Sequence, residues 1–173
     1  MIVDIKLEDI FETFELGDSR SLFECDFYDT HYRYFDEIDD DYLSAVNLSA
    51  KELILSYDMG YPDFYIKIGV EAAESRRRPH ENINTWMDVS YEYLYYFGDS
   101  CSYLDSKGFK FFLSAAIYIF LTMPEKNNSF MDSFIYRFEL QWERDNHIFN
   151  TTQKKFIRSF FIEHYKKDLS CVI

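Results

Sequence analysis

Residues 106–122 read SKGFKFFLSAAIYIFLT, and this stretch decides the fold class. Its large apolar side chains recur every three or four positions, which is the spacing of one helix face. This face carries Phe109, Phe112, Leu113, Ala116, Ile117, Phe120 and Leu121. The opposite face carries Phe111, Ala115, Tyr118 and Ile119. A helix that is apolar nearly all round belongs in the interior of a fold, so the stretch predicts a central helix over 106–122 that ends before Pro124.

Helical signals continue toward the C-terminus. Ser129 is positioned to cap a helix, and the apolar residues that follow are Phe130, Phe134, Phe138 and Trp142. The alternation of Phe134, Tyr136 and Phe138 leaves a strand open for the same segment. The last helix is clearer, because Asn150 and Gln153 have the spacing of a capping box. Its apolar face carries Phe156, Ile157, Phe160, Phe161 and Tyr165, and His164 lies beside that face as a packed or rim histidine.

Upstream of the central segment, capping signals predict three more helices. Asp88 or Ser90 can cap a helix that contains Tyr91, Leu94 and Tyr95 and ends at Gly98. A second helix begins after Pro62 and ends near residues 76–78, which are three arginines followed by Pro79. A third begins at the capping-box sequence of Ser49 to Glu52 and ends near Met59, before Gly60.

The N-terminal quarter is harder to interpret. Leu7, Ile10, Phe11 and Phe14 have helical spacing and predict a short helix over 4–16, with Gly17 in the position of a C-terminal glycine cap. Residues 18–46 show no clean period. The fold class predicted for the whole chain is mainly α, a single-domain helical bundle of about five to seven helices. In this prediction residues 1–46 form an irregular acidic segment and residues 47–173 form the helical core.

Charge is distributed unevenly along the chain. Residues 1–46 hold fourteen carboxylates and only three basic side chains, so the segment accounts for −11 of the formal net charge of −13. Such a charge distribution is an argument about partners rather than about fold, and it predicts a basic protein partner. The predicted partner-binding residues are Asp26, Tyr28, Asp29, Tyr32, Tyr34, Asp36, Glu37, Asp39, Asp40, Asp41 and Tyr42.

Cysteine usage and hydropathy favour a cytoplasmic protein. Cys25, Cys101 and Cys171 are odd in number and contain no C-x-x-C pair, which fits a reducing compartment and gives no zinc motif. No signal-peptide pattern stands at the N-terminus. The longest uncharged apolar run, residues 111–123, is shorter than the roughly twenty residues that a membrane span requires. We therefore expect no membrane association.

No residue pattern indicates catalysis or a cofactor. His31, His80, His147 and His164 lie in no familiar spacing with a nucleophile or a second histidine. The acidic run from Asp36 to Asp41 lacks the glycine and glutamate of a calcium-binding helix–loop–helix site. Phosphate-binding glycine loops are absent, and the acidic composition disfavours nucleic-acid binding. The expectation is therefore a non-enzyme with no cofactor and no metal.

One sequence pattern resembles a small bacterial family of unknown function. The matching residues are Trp86, Tyr103-Leu104, the run from Gly108 to Ala115, and Gln153 with Phe156 and Ile157. Members of that family have a Gly-Phe-x-Phe-Tyr-Leu-Pro-Ala helix, whereas Ser114 stands here in place of the proline. The resemblance implies a shared fold over about residues 49–173 and a bacterial source. It implies no reaction, cofactor or catalytic residue.

Three classes of function remain open. The first is a protein-binding inhibitor, a bacterial immunity-type protein that neutralises a basic toxin or nuclease, with a variant in which the carboxylates mimic nucleic-acid phosphates. The second is a structural or adaptor protein that homo-oligomerises, as a homodimer for example. The third is an enzyme of unrecognised type, which would require a pocket that joins His31 or His147 to carboxylates.

Overall fold

The structure is a computed structural model that describes residues 6–26, Asp29, 62–75 and 83–168. The described chain is mainly α-helical and contains no strand, which confirms the predicted fold class of about five to seven helices. Contacts divide the chain into two units, residues 1–22 with 83–173 and residues 23–82. The predicted single domain with a boundary near residue 46 stays a prediction.

Six α-helices lie within the described residues, and residues 22–26 are helical as well. The helices are α1 (Leu7–Ile10), α2 (Asp63–Ser75), α3 (Tyr91–Phe97), α4 (Ser106–Thr122), α5 (Phe130–Asp145) and α6 (Thr151–Tyr165). Three 3-10 helices cover Trp86–Asp88, Gly98–Tyr103 and Asn146–Ile148. None of the helices in these ranges is both long enough and apolar enough to cross a lipid bilayer.

The central helix of the larger unit is α4, as predicted, and it begins at Ser106 and ends at Thr122. The Asp105 side chain caps it by accepting a hydrogen bond of 2.7 Å from the amide of Gly108. Ring contacts join α4 to its neighbours on every side. These are Phe109 with Phe134 of α5, Phe112 with Tyr93 of α3, Phe120 with Phe160 of α6, and Phe111 with Phe14 of the N-terminal segment.

Two predicted caps are confirmed. Ser90 caps α3 by accepting a hydrogen bond of 3.1 Å from the amide of Tyr93, and Gly98 follows the end of that helix. At α6 the amide of Gln153 donates to the Asn150 side chain, while the Gln153 side chain accepts from the amide of Asn150. Both caps were predictable because each is a contact between residues three positions apart.

Gln153 does more than cap α6, and this role gives a testable prediction. Its Nε2 also donates to the carbonyl of Ile10 at 3.0 Å, so one buried side chain joins α6 to α1. We expect Gln153→Ala to lower the free energy of unfolding by about 1–3 kcal/mol, because it removes a cap and leaves a buried carbonyl unpaired. Urea denaturation measures the loss. The control is Thr152→Ala at the exposed neighbouring position, expected to cost less than about 0.5 kcal/mol. Equal losses for the two variants would contradict this role.

The N-terminal helix was predicted too long. Within residues 6–16, only Leu7–Ile10 is helical; Phe11 is already in extended conformation, and Glu15 forms an isolated antiparallel bridge with Thr85. Phe11 packs against Phe156 of α6, whereas Phe14 packs against Phe111 of α4. An extended segment lets the two rings reach different helices, so tertiary packing overrides the local helical spacing. Gly17 does adopt the left-handed conformation, with φ of +64°, but in a turn rather than at a helix end.

The sequence left both a helix and a strand open for residues 130–142. The segment is a continuous helix from Phe130 to Asp145, so the strand is wrong. Ser129 stands at the N-cap, but its side chain makes no capping hydrogen bond because the residue itself is in helical conformation.

In the smaller unit, α2 begins directly after Pro62, as the sequence predicts. Its Tyr65 packs on the buried ring of Phe23, with centroids 5.1 Å apart. The helix predicted over residues 49–59 and the arginines at 76–78 lie outside the described residues.

Candidate functional site: a buried ion pair and two acidic surfaces

The most elaborate polar cluster in the described chain is buried. Arg137 of α5 is 0% exposed, and its guanidinium forms a two-pronged contact with Asp145 at the end of the same helix. Arg137 Nε lies 2.9 Å from Asp145 Oδ2, and Nη2 lies 3.2 Å from Oδ1. Ser106 at the start of α4 donates a third hydrogen bond to Asp145, at 2.7 Å. We call Arg137, Asp145 and Ser106 the buried polar cluster.

The same guanidinium also donates to three backbone carbonyls, each of which accepts a second hydrogen bond from another group. Arg137 donates to the carbonyls of Cys101, Leu104 and Asp105, where the 3-10 helix Gly98–Tyr103 ends and α4 begins. Its cationic carbon lies 4.1 Å from the centroid of the Phe109 ring. Arg137 therefore joins α5, the 3-10 helix and the start of α4 through one side chain.

Both members of the pair are charged in the folded protein. Burial alone would raise the pKa of Asp145, but the hydrogen bonds from Arg137 and Ser106 outweigh it and hold the pKa below the ordinary aspartate value. Burial lowers the pKa of the Arg137 guanidinium, and its hydrogen bonds to Asp145 oppose that effect. Arginine starts from so high a pKa that it stays protonated. Because neither side chain reaches solvent, the Arg137–Asp145 pair organises the fold and presents no charge at the surface.

Arg137 and Asp145 were not among the predicted functional residues, although the sequence contains a signal for the buried pair. Arg137 lies between Phe134 and Phe138 on the apolar stripe of α5. A lone arginine within an apolar helix face indicates a buried cation that requires a partner, and the acid eight residues further on supplies it.

A first exposed surface is acidic. Glu8, Asp9, Glu12 and Glu15 are all exposed, and we call them the N-terminal carboxylates. Within the described part of the chain, none of the four forms an ion pair with a lysine, arginine or histidine. Glu12 acts on the partly buried Lys110 only by longer-range attraction, which raises the pKa of that lysine against a larger lowering by burial.

Few of the predicted partner-binding residues can be placed. Asp26 is partly buried in a helical segment, and Asp29 is exposed. The remaining nine lie outside the described residues, so their role stays a prediction. They are Tyr28, Tyr32, Tyr34, Asp36, Glu37, Asp39, Asp40, Asp41 and Tyr42.

A second exposed surface combines tyrosines with acids, and sequence reasoning missed it as a surface. Tyr95 and Tyr96 of α3 are 52% and 44% exposed. Glu92 precedes Tyr95 by three positions and Asp99 follows Tyr96 by three, a spacing that puts residues on one side of a helical chain, and both are exposed. We call these four residues the tyrosine face. The sequence pattern named Tyr95 only as a member of the predicted helix, and it predicted neither the exposure of Tyr95 nor that of Tyr96.

The tyrosine face continues a row of aromatic rings. Tyr91 stacks on Tyr95 with centroids 6.0 Å apart, and Tyr95 meets Tyr96 edge to face at 5.5 Å. The first ring of the row holds a cation, because Lys126 Nζ lies 5.2 Å above the centroid of Tyr91. The Tyr91 hydroxyl donates to the carbonyl of Asn127 at 2.8 Å, which keeps this ring close to the loop that carries the lysine.

His164, Cys25 and Cys101 have structural surroundings, whereas His147 is exposed. The His164 ring packs on Phe120 and Phe160, which agrees with a rim histidine. Cys25 and Cys101 are buried. No group of three metal-ligating side chains occurs among the residues whose positions are described. His31, His80 and Cys171 lie outside them.

Comparisons with protein-family models, with curated proteins and with solved structures give no match to this chain. The resemblance to a bacterial family over residues 49–173 therefore stays a prediction.

Proposed function

We propose that this protein is an acidic protein-binding module, an immunity-type inhibitor that acts in the bacterial cytoplasm. In this function it neutralises a basic toxin or nuclease by masking the active site. The single observation that supports the proposal most is the set of N-terminal carboxylates, which are exposed and unpaired within the described chain. Carboxylates left without internal counter-ions are able to meet cations on another molecule.

Physical reasons favour a basic protein as the partner. A net charge of −13 raises the association rate with a positively charged protein and repels nucleic acid. Toxins that attack nucleic acid present cationic clefts to bind phosphate, and an array of carboxylates is complementary to such a cleft. The inhibitor contributes charge and shape and needs no catalytic group of its own.

The test uses the purified chain and any basic protein encoded by a gene directly adjacent to its own; adjacent genes that encode no basic protein count against the proposal. We expect the association rate constant to fall at least about tenfold between about 0.01 M and about 0.15 M salt, because the Debye screening length shortens from about 30 Å to about 8 Å. The triple variant Glu8→Gln/Glu12→Gln/Glu15→Gln should slow association at least about threefold at the lower salt concentration. Stopped-flow fluorescence measures both rates.

A matched control carries the same change of net charge elsewhere. The variant Glu125→Gln/Asp132→Asn/Glu143→Gln also removes three exposed carboxylates, but from the turn after α4 and from α5. It should slow association by less than the N-terminal variant. Binding that is absent, or an association rate indifferent to salt, contradicts the proposal.

A second candidate function is a structural or adaptor protein that homo-oligomerises. The observation in its favour is the pair Tyr136 and Leu140, one turn apart on α5 and 58% and 63% exposed. Sedimentation at several concentrations tests it. A dimer that Leu140→Glu dissociates supports this candidate, and a monomer at all concentrations rejects it.

A further inference from the structure

We infer that the tyrosine face binds an arginine side chain presented by the basic partner, with the guanidinium on Tyr95 and Tyr96 and its charge balanced by Glu92 and Asp99. This inference deepens the proposed function and rests on it. It assigns a recognition surface on α3, separate in sequence from the N-terminal carboxylates.

The first argument is the cation already present in the same row of rings. Lys126 Nζ lies over Tyr91, and Tyr91 stacks directly on Tyr95. The chain itself therefore places a cation on the first ring. Tyr95 and Tyr96 continue the row without a cation from the described residues, and they have the same negative ring faces.

The second argument is charge. Glu92 is exposed and forms no ion pair within the described ranges, and Asp99 is exposed with its Oδ1 held by the Ser133 hydroxyl at 2.5 Å. That hydrogen bond fixes the Asp99 carboxylate relative to α5. Two aromatic rings flanked by two carboxylates suit a planar cation that stacks and donates hydrogen bonds in one plane, which is arginine rather than lysine.

The third argument is rigidity. The tyrosine face lies on a helix whose other side is buried, with Tyr93, Leu94 and Phe97 in the core. Tyr93 stacks on Phe112 of the central helix. Exposed tyrosines on a fixed helix lose little conformational entropy on binding, which is typical of residues that dominate interface energies.

The test measures peptide binding to the full-length protein. The probe is a capped octa-arginine peptide, and the matched probe is octa-lysine. We expect wild-type protein to prefer octa-arginine, and Tyr95→Leu/Tyr96→Leu to weaken octa-arginine binding roughly tenfold with a smaller effect on octa-lysine. Tyr95→Phe/Tyr96→Phe keeps both ring faces and should bind within about twofold of wild type.

Two further measurements locate the site. Tyr136→Leu removes an equally exposed tyrosine from α5 and should leave octa-arginine binding unchanged. Nuclear magnetic resonance of the wild-type protein should show the ring signals of Tyr95 and Tyr96 shifting on titration with octa-arginine. Because this measurement uses the wild-type protein, it remains informative if the leucine variant fails to fold.

The inference is overturned by equal octa-arginine affinity in wild type and the leucine variant, by signal shifts confined to residues 6–18, or by a homodimer that buries Tyr95 and Tyr96. These failures differ from failure of the proposed function. Salt-dependent binding of the neighbouring basic protein that survives Tyr95→Leu/Tyr96→Leu removes only the assigned surface. Octa-arginine binding to the tyrosine face without binding of that protein removes only the inhibitor role.

Discussion

Replacing Arg137 with methionine is expected to lower the free energy of unfolding by about 3–5 kcal/mol. Methionine is an apolar side chain of similar length, but it leaves the buried Asp145 carboxylate without its cation. It also removes one of the two donors to each of the carbonyls of Cys101 and Leu104, at the end of the 3-10 helix Gly98–Tyr103. Urea denaturation followed by circular dichroism measures the loss, as a lower midpoint with an unchanged slope.

The control for this prediction is the neighbouring arginine. Arg144 also contacts Asp145, at 3.2 Å, but its side chain is 49% exposed. Arg144→Met should therefore cost less than about 1 kcal/mol, because solvent replaces most of the lost interaction. The double variant Arg137→Met/Asp145→Leu should be more stable than Arg137→Met by at least about 1 kcal/mol, since no unpaired charge stays buried. An Arg137→Met variant that costs no more than Arg144→Met would show that the ion pair is dispensable.

The second large effect is expected from Phe109→Ala in the central helix, at about 3–5 kcal/mol. Phe109 is fully buried, and its ring contacts Phe134, Phe138 and Phe149. Deleting the ring leaves a cavity in the middle of the larger unit and removes the aromatic face under the Arg137 guanidinium. Thermal and urea denaturation measure the change.

Two control variants test whether the stability loss comes from the cavity at Phe109 or from the removal of any aromatic ring. Phe109→Leu retains most of the volume and should cost less than Phe109→Ala. Tyr136→Ala, at an exposed position of α5, should cost less than about 0.5 kcal/mol. Because Phe109 and Arg137 are in contact, the effects of Phe109→Ala and Arg137→Met should not add. Additive losses would indicate that the ring and the guanidinium act independently.

The helices differ in how well the sequence predicts them. The bounds of α4 were predicted because seventeen residues with unbroken apolar spacing and a following proline leave little choice. The start of α6 was predicted from Asn150 and Gln153, which form their capping box within one turn. The strand considered for residues 134–138 was wrong, because an alternation of three aromatics is too short a pattern to separate strand from helix.

The candidate surfaces were predictable only in part. An acidic N-terminal segment is a matter of composition; Glu8, Asp9, Glu12 and Glu15 of this segment are exposed, whereas Glu24 is buried. The tyrosine face was not predictable, because tyrosine suits the core and the surface about equally well. Whether Tyr95 is buried depends on which elements pack against α3, and the sequence of α3 does not contain that information.

The sequence by itself determined where most described helices begin and end, since caps, prolines and apolar spacing act between residues within about one or two turns. Only the tertiary structure decided the extended course after α1 and the partners of Arg137. The rings of Phe11 and Phe14 pack on two different helices, and Arg137 binds the carbonyl of Leu104, which lies 33 residues away in the chain. Such contacts are set by how helices pack in space, and burial then makes each unpaired charge or carbonyl costly enough to require them.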